Sequence, residues 1–106
     1  MDAPRIEFFW WAECPSWERA LALLRDRAAA AGLDPESVVI TEITSDEQAR
    51  AIGFPGSPTI RVNGGDVQEP LEDASGLSCR IYRSRDGRVS PLPDPADIDD
   101  ALGRSR

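Results

Sequence analysis

The sequence predicts a single α/β domain spanning residues 1–106, with a mixed central sheet of about four strands flanked by helices. Three observations predict it. An aromatic and β-branched run, Ile6 to Trp11, is followed by a helix-spaced run and then by a second alternating run, which together make a βαβ unit. A short capped helix then leads into a proline-rich entry to a third strand. The chain closes on another strand-like segment and a last helix, completing a ββα unit.

Each element has its own signals. Ile6–Trp11 is apolar on both alternating faces, interrupted only by Glu7, as expected of a strand buried on both sides. Cys14-Pro15-Ser16 is expected to open the first helix, with Pro15 at the first helical position, where a missing N–H leaves nothing unpaired. Trp17, Ala20, Leu21, Leu24, Ala28 and Ala31 recur at helical spacing, and Gly32 supplies the stop. Asp34-Pro35 turns the chain into a strand from Val38 to Thr44, parallel to the first because a helix crosses between them. Ser45-Asp46-Glu47-Gln48 fits a capping box for a helix running to Ile52 and ended by Gly53. Thr59–Val62 is the third strand, and Asn63-Gly64-Gly65 is a turn signal. Residues 66–78 read as loop, and Cys79–Arg83 as the fourth strand, which Arg85-Asp86-Gly87 turns into a short partner around Arg88–Leu92. Asp94 caps the last helix, with Pro95 at its first position and Ile98, Ala101 and Leu102 facing inward, before a fraying end at residues 103–106.

Composition narrows the function. The formal net charge is −7, with 19 acidic residues against 12 basic ones, all of them arginine. That balance argues against nucleic acid, whose phosphates require a basic footprint, and against anionic membrane surfaces. No histidine is present, which removes imidazole bases and most zinc-enzyme layouts. No cofactor and no metal site is expected: Asp66, Glu69, Glu72 and Asp73, and again Asp94, Asp97, Asp99 and Asp100, lack calcium-loop spacing. The N-terminal apolar run is too short and too broken by Glu7 and Glu13 for a signal peptide or a membrane span. A cytoplasmic location is expected, with Cys14 and Cys79 held reduced.

The order β-α-β, short helix, proline-led β, β, α resembles that of the thioredoxin superfamily, and local motifs sharpen the resemblance. Trp11-Ala12-Glu13-Cys14 resembles the Trp-Ala-x-x-Cys approach to the thioredoxin active site, shortened by one residue. Cys14-Pro15 resembles the start of the glutaredoxin Cys-Pro-x-Cys site, and Ser57-Pro58-Thr59 is similar to the superfamily's cis-proline loop, which faces the active-site cysteine. Gly56-Ser57-Pro58-Thr59 together with Cys79-Arg80-Ile81-Tyr82 is similar to a group of small actinobacterial thioredoxin-like proteins. The resemblance implies a thioredoxin-like fold with Cys14 as nucleophile. Trp17 stands where a dithiol oxidoreductase has its second cysteine, so the implied chemistry is that of a single active-site thiol.

The residues support that chemistry to different degrees. A cysteine at a helix N-terminus is held toward its thiolate by unpaired N–H groups, which Glu13 and Glu18 oppose. Pro58 is expected to be cis, leaving the Ser57 N–H and C=O free to pair with an extended peptide or a glutathione-like thiol. Trp11 and Trp17 are expected as the exposed aromatic pair forming an apolar floor, and Pro15 joins Ser57 and Pro58 in the candidate substrate-binding set. Cys79, at the far end of an antiparallel fourth strand, would lie roughly 17 Å from Pro58. A disulfide needs Cα atoms within about 7 Å. Only an unusual path through residues 66–78 could pair it with Cys14, and a buried structural thiol is expected instead.

Three functions follow from these features: a monothiol oxidoreductase acting on mixed disulfides, a non-catalytic thioredoxin-fold binding module, and thiolate-based handling of soft metals or organomercurials. The expected partner is a low-molecular-weight thiol or a protein disulfide, and the expected assembly a monomer or weak homodimer.

Overall fold

A computed structural model describes residues 3–70 and 75–104. Its centre is β1 (Ile6–Trp10), whose alternating side chains feed two separate apolar clusters. Ile6 and Phe8 point to one side, and Phe9 to the other, where it meets Ile43, Ala49 and Phe54. The two-sided burial read from the sequence is therefore what the strand has.

Helix α1 (Trp17–Ala30) crosses from β1 to β2 (Val39–Glu42), and the two strands pair in parallel from Glu7 opposite Val39 to Trp10 opposite Glu42. A short 3₁₀ turn, Pro35–Ser37, is capped by the Asp34 carboxylate, which accepts from the Glu36 N–H. Ser45 caps α2 (Asp46–Ile52) by accepting from the Gln48 N–H, and Gly53 closes it at φ +64°. The Gln48 amide reaches back to the Thr44 N–H, one residue beyond the cap. Then β3 (Thr59–Val62) pairs antiparallel with β1, with Phe8 opposite Ile60.

The fourth strand differs from the expected one. It is β4 (Gly65–Asp66), not Cys79–Arg83, and the sheet order is β2-β1-β3-β4. Asn63 and Gly64 both have positive φ, 52° and 86°. That is the two-residue hairpin geometry whose twist matches the strands, so the chain reverses at once and the partner of β3 begins immediately. The segment read as loop from residue 66 thus starts inside the sheet, and Leu71–Ala74 lie outside the described residues. Further on, β5 (Tyr82–Arg83) and β6 (Val89–Ser90) form a separate antiparallel ribbon.

Finally α3 (Pro95–Arg104) packs beside α1, starting where Asp94 caps the Ala96 N–H. Leu24 and Ala28 of α1 and Ile98 and Leu102 of α3 are fully buried with Ile6, Phe8 and Ile60. A bidentate Arg27–Asp99 pair, 2.7 and 2.9 Å, joins the two helices at their half-exposed rim. Asp97 and Asp100 pair with Arg85, so these carboxylates of the acidic C-terminal set already have basic partners. No described helix is long and apolar enough to cross a membrane.

Candidate functional site around Cys14

The chain leaves β1 at Trp10 and makes a tight turn in which the Cys14 N–H donates to the Trp11 carbonyl at 3.0 Å. Helix α1 begins only at Trp17, two residues later than expected. Ser16 takes the capping position, with φ −103° and ψ −2°, but its hydroxyl makes no cap. Instead Ser16 Oγ lies 3.2 Å from Cys14 Sγ. A side chain suited to capping is thus spent on the thiol, and the Ser16 N–H also bonds toward it.

Ser57 closes the other side. Its peptide bond to Pro58 is cis, as expected, and its carbonyl accepts from the Cys14 thiol at 3.4 Å. The Ser57 hydroxyl accepts from the Trp11 N–H at 3.0 Å, tying the proline loop to the end of β1. The Pro58 carbonyl accepts from the Tyr82 hydroxyl, which is completely buried. Burial holds the Tyr82 phenol well above its ordinary range, so it stays a donor.

Three expectations need correction here. The Ser57 N–H and C=O are not free. The N–H donates to the Ser78 carbonyl and the C=O accepts from the Arg80 N–H, both at 2.8 Å, so Cys79 is bridged in parallel to Ser57. Second, Cys79 is neither remote nor buried: it is an exposed free thiol, bridged to Ser57 and near enough to Cys14 that each thiol shifts the titration of the other. The estimate of 17 Å assumed that Cys79 began the strand beside β3. Because β4 fills that place, the segment is free to return to the proline loop. Third, Trp17 stacks on Trp10, at 4.1 Å between ring centroids and 28° between planes, not beside Trp11. Trp11 contributes through its backbone and is half-buried, while Pro15 sits exposed in the turn.

The Cys79 segment is anchored on both sides of the cysteine. Arg80 is 5% exposed and makes two parallel bonds to Asp66 of β4, at 2.8 and 3.0 Å, with its guanidinium 4.2 Å above the Tyr82 ring. Gly56 lets the segment approach. It has φ +130°, and a Cβ there would sit 3.0 Å from the Arg80 Cβ and 3.2 Å from its Cα. Ser16, Asp66, Arg80 and Tyr82 are site residues that sequence reasoning missed. Ser16 had a signal in its hydroxyl two residues beyond the cysteine, and Arg80 and Tyr82 in the Cys79-Arg80-Ile81-Tyr82 motif, whereas Asp66 had none that tied it to the site.

Burial pushes the Cys14 thiol up, but the Ser16 hydroxyl, the Ser57 hydroxyl, the Ser16 N–H and the Cys79 thiol outweigh it, leaving Cys14 below its ordinary value. Cys79 moves the other way, raised by burial and by the neighbouring Cys14 thiol. The pair is therefore asymmetric: one acidified, covered thiol and one neutral, exposed thiol. Beside Cys79 opens a cavity of about 630 Å³, bordered by Pro55, Leu77, Ile81 and Val89. No group of three or more metal-ligating side chains occurs among the described residues.

No protein-family model, curated protein or solved structure matches this chain.

Proposed function

We propose that this is a thioredoxin-like thiol–disulfide exchange protein in which Cys14 is the attacking thiol. One observation carries the reading: Cys14 Sγ lies 3.2 Å from the Ser16 hydroxyl, which favours its thiolate, and directly faces the cis Ser57–Pro58 bond. A thiolate is the form that attacks disulfides, and hydroxyl and N–H donors stabilise it where it must form. The strand order β2-β1-β3-β4, with the cysteine after β1 and the cis proline before β3, supports the thioredoxin-like assignment. The substrates on this reading are mixed disulfides of low-molecular-weight thiols or proteins, handled in the cytoplasm.

The test is reduction of glutathione and mycothiol mixed disulfides by the wild type and by Cys14→Ser. Turnover in the first and none in the second is the expected result. Equal rates would sink the reading. The 1% exposure of Cys14 favours a second reading, a thioredoxin-fold module that binds without chemistry. On that reading Cys14→Ser leaves partner capture intact, whereas a Trp11 change abolishes it.

A further inference from the structure

We infer that Cys79 is the resolving thiol of Cys14, so that the protein works as a dithiol whose two cysteines come from different parts of the fold. The inference rests on the proposed attack by Cys14 and adds what happens next.

Position carries it. In a parallel bridge the paired backbones lie about 4.8 Å apart. Cys79 is so paired with Ser57, and the carbonyl of Ser57 is the acceptor of the Cys14 thiol. Two backbone hydrogen bonds, one on each side of Cys79, fix the main chain, and the Cys79 thiol is free and exposed. Gly56 is the residue that permits this approach, and Asp66 holds the neighbouring Arg80 in place. The segment occupies the Ser57 N–H and C=O that would otherwise take up an extended peptide. It lies there as an intramolecular strand, with its own cysteine at the reacting position.

Cys79 also faces open space. It is exposed and lines a cavity of about 630 Å³, so its sulfur is reachable from solvent. The opposite titration shifts agree with the order of events, since the acidified thiol attacks first and the neutral one follows.

The steps balance. The Cys14 thiolate attacks one sulfur of R–S–S–R′; that bond breaks, Cys14–S–S–R forms, and R′S⁻ leaves and takes up a proton. Cys79 gives its proton to water, and its thiolate attacks Cys14 Sγ. The Cys14–S–R bond breaks, RS⁻ leaves and is protonated, and a Cys14–Cys79 disulfide remains. The substrate disulfide has gained two electrons and the protein dithiol has lost them. Two equivalents of a low-molecular-weight thiol return the protein to its reduced form.

The experiment is redox equilibration of the full chain with glutathione and its disulfide, followed by acid quench, alkylation and mass spectrometry of the Cys14 and Cys79 peptides. The wild type is expected to form an intrachain Cys14–Cys79 disulfide, with an oxidised-to-reduced ratio that, at fixed glutathione disulfide, falls with the inverse square of the glutathione concentration. Cys79→Ser is expected to stop at one glutathione on Cys14, with an adduct-to-thiol ratio that falls with the inverse first power. The Cys79 side chain is exposed, so its replacement leaves the core intact, and circular dichroism checks that the variant is folded. A stable Cys14–glutathione adduct in the wild type, with Cys79 still open to alkylation, overturns the resolving role and leaves the attack by Cys14 standing. A Cys14 thiol still open to alkylation in both proteins, or an adduct on Cys79 alone, overturns both.

Discussion

At the scale of single residues, the acidity of Cys14 depends on a serine that declines its usual work. Ser16 stands at the start of α1 and gives its hydroxyl to the thiol. Ser16→Ala removes a donor to the thiolate and no helix cap, so the expected effect is chemical. The midpoint of Cys14 alkylation against pH should rise toward the free-cysteine value of about 8.5, with little change in stability. Iodoacetamide labelling read peptide by peptide checks this. The sign is fixed by the direction of the shift: a thiol lowered in the folded state reacts fully only above its own pKa, so losing a donor moves the onset to higher pH. Cys79, raised in the folded state, should titrate at higher pH than Cys14 in the same experiment. An unchanged Cys14 profile in Ser16→Ala would remove the serine from this account.

At the scale of elements, the decisive contact is between the proline loop and the segment 78–80. Gly56 is where a side chain would meet the Arg80 backbone, with a Cβ there 3.2 Å from the Arg80 N and Cα. Gly56→Val places a branched side chain against the Arg80 backbone at a φ that valine avoids, so the segment must lift from Ser57. Faster alkylation of Cys14 together with slower closure of the Cys14–Cys79 disulfide is the expected pair of outcomes, read by quenched-flow labelling; if both rates fall together, the segment is not the cover. This contact also marks the limit of what the sequence discloses. β1, α1, β2, α2, β3 and α3 follow from periodicity and caps, because neighbouring residues decide each of them. The cis Ser57–Pro58 bond follows from the resemblance. The return of Cys79 to Ser57 depends on a two-residue turn at Asn63–Gly64 and an ion pair between Asp66 and Arg80, fourteen residues apart in sequence. Neither leaves a periodic trace. Reading residue 66 onward as loop therefore displaced the fourth strand and, with it, the second thiol.

At the scale of the whole molecule, two apolar clusters packed on β1 carry the stability, and the chemistry sits where the two central strands, β1 and β3, meet their connectors. Leu24 of α1 is fully buried where α1 meets the sheet and α3. Leu24→Ala should cost about 2–5 kcal/mol. Urea unfolding checks the loss, and the Cys14–Cys79 exchange should persist wherever the variant remains folded. The same layout gives the Trp10–Trp17 stack a mechanical meaning. Trp10 is the last residue of β1 and Trp17 the first of α1, so the two rings fasten together the ends of the short connector that bears Cys14. The connector is a closed noose, tied by side chains at its own neck and independent of the segment opposite. One jaw of the site is thereby fixed by aromatic contact, while the other meets Ser57 through backbone bonds that a competing strand could replace and is tethered beyond them by the Arg80–Asp66 pair. The nucleophile keeps its seat while Cys79 is exchanged for a substrate sulfur.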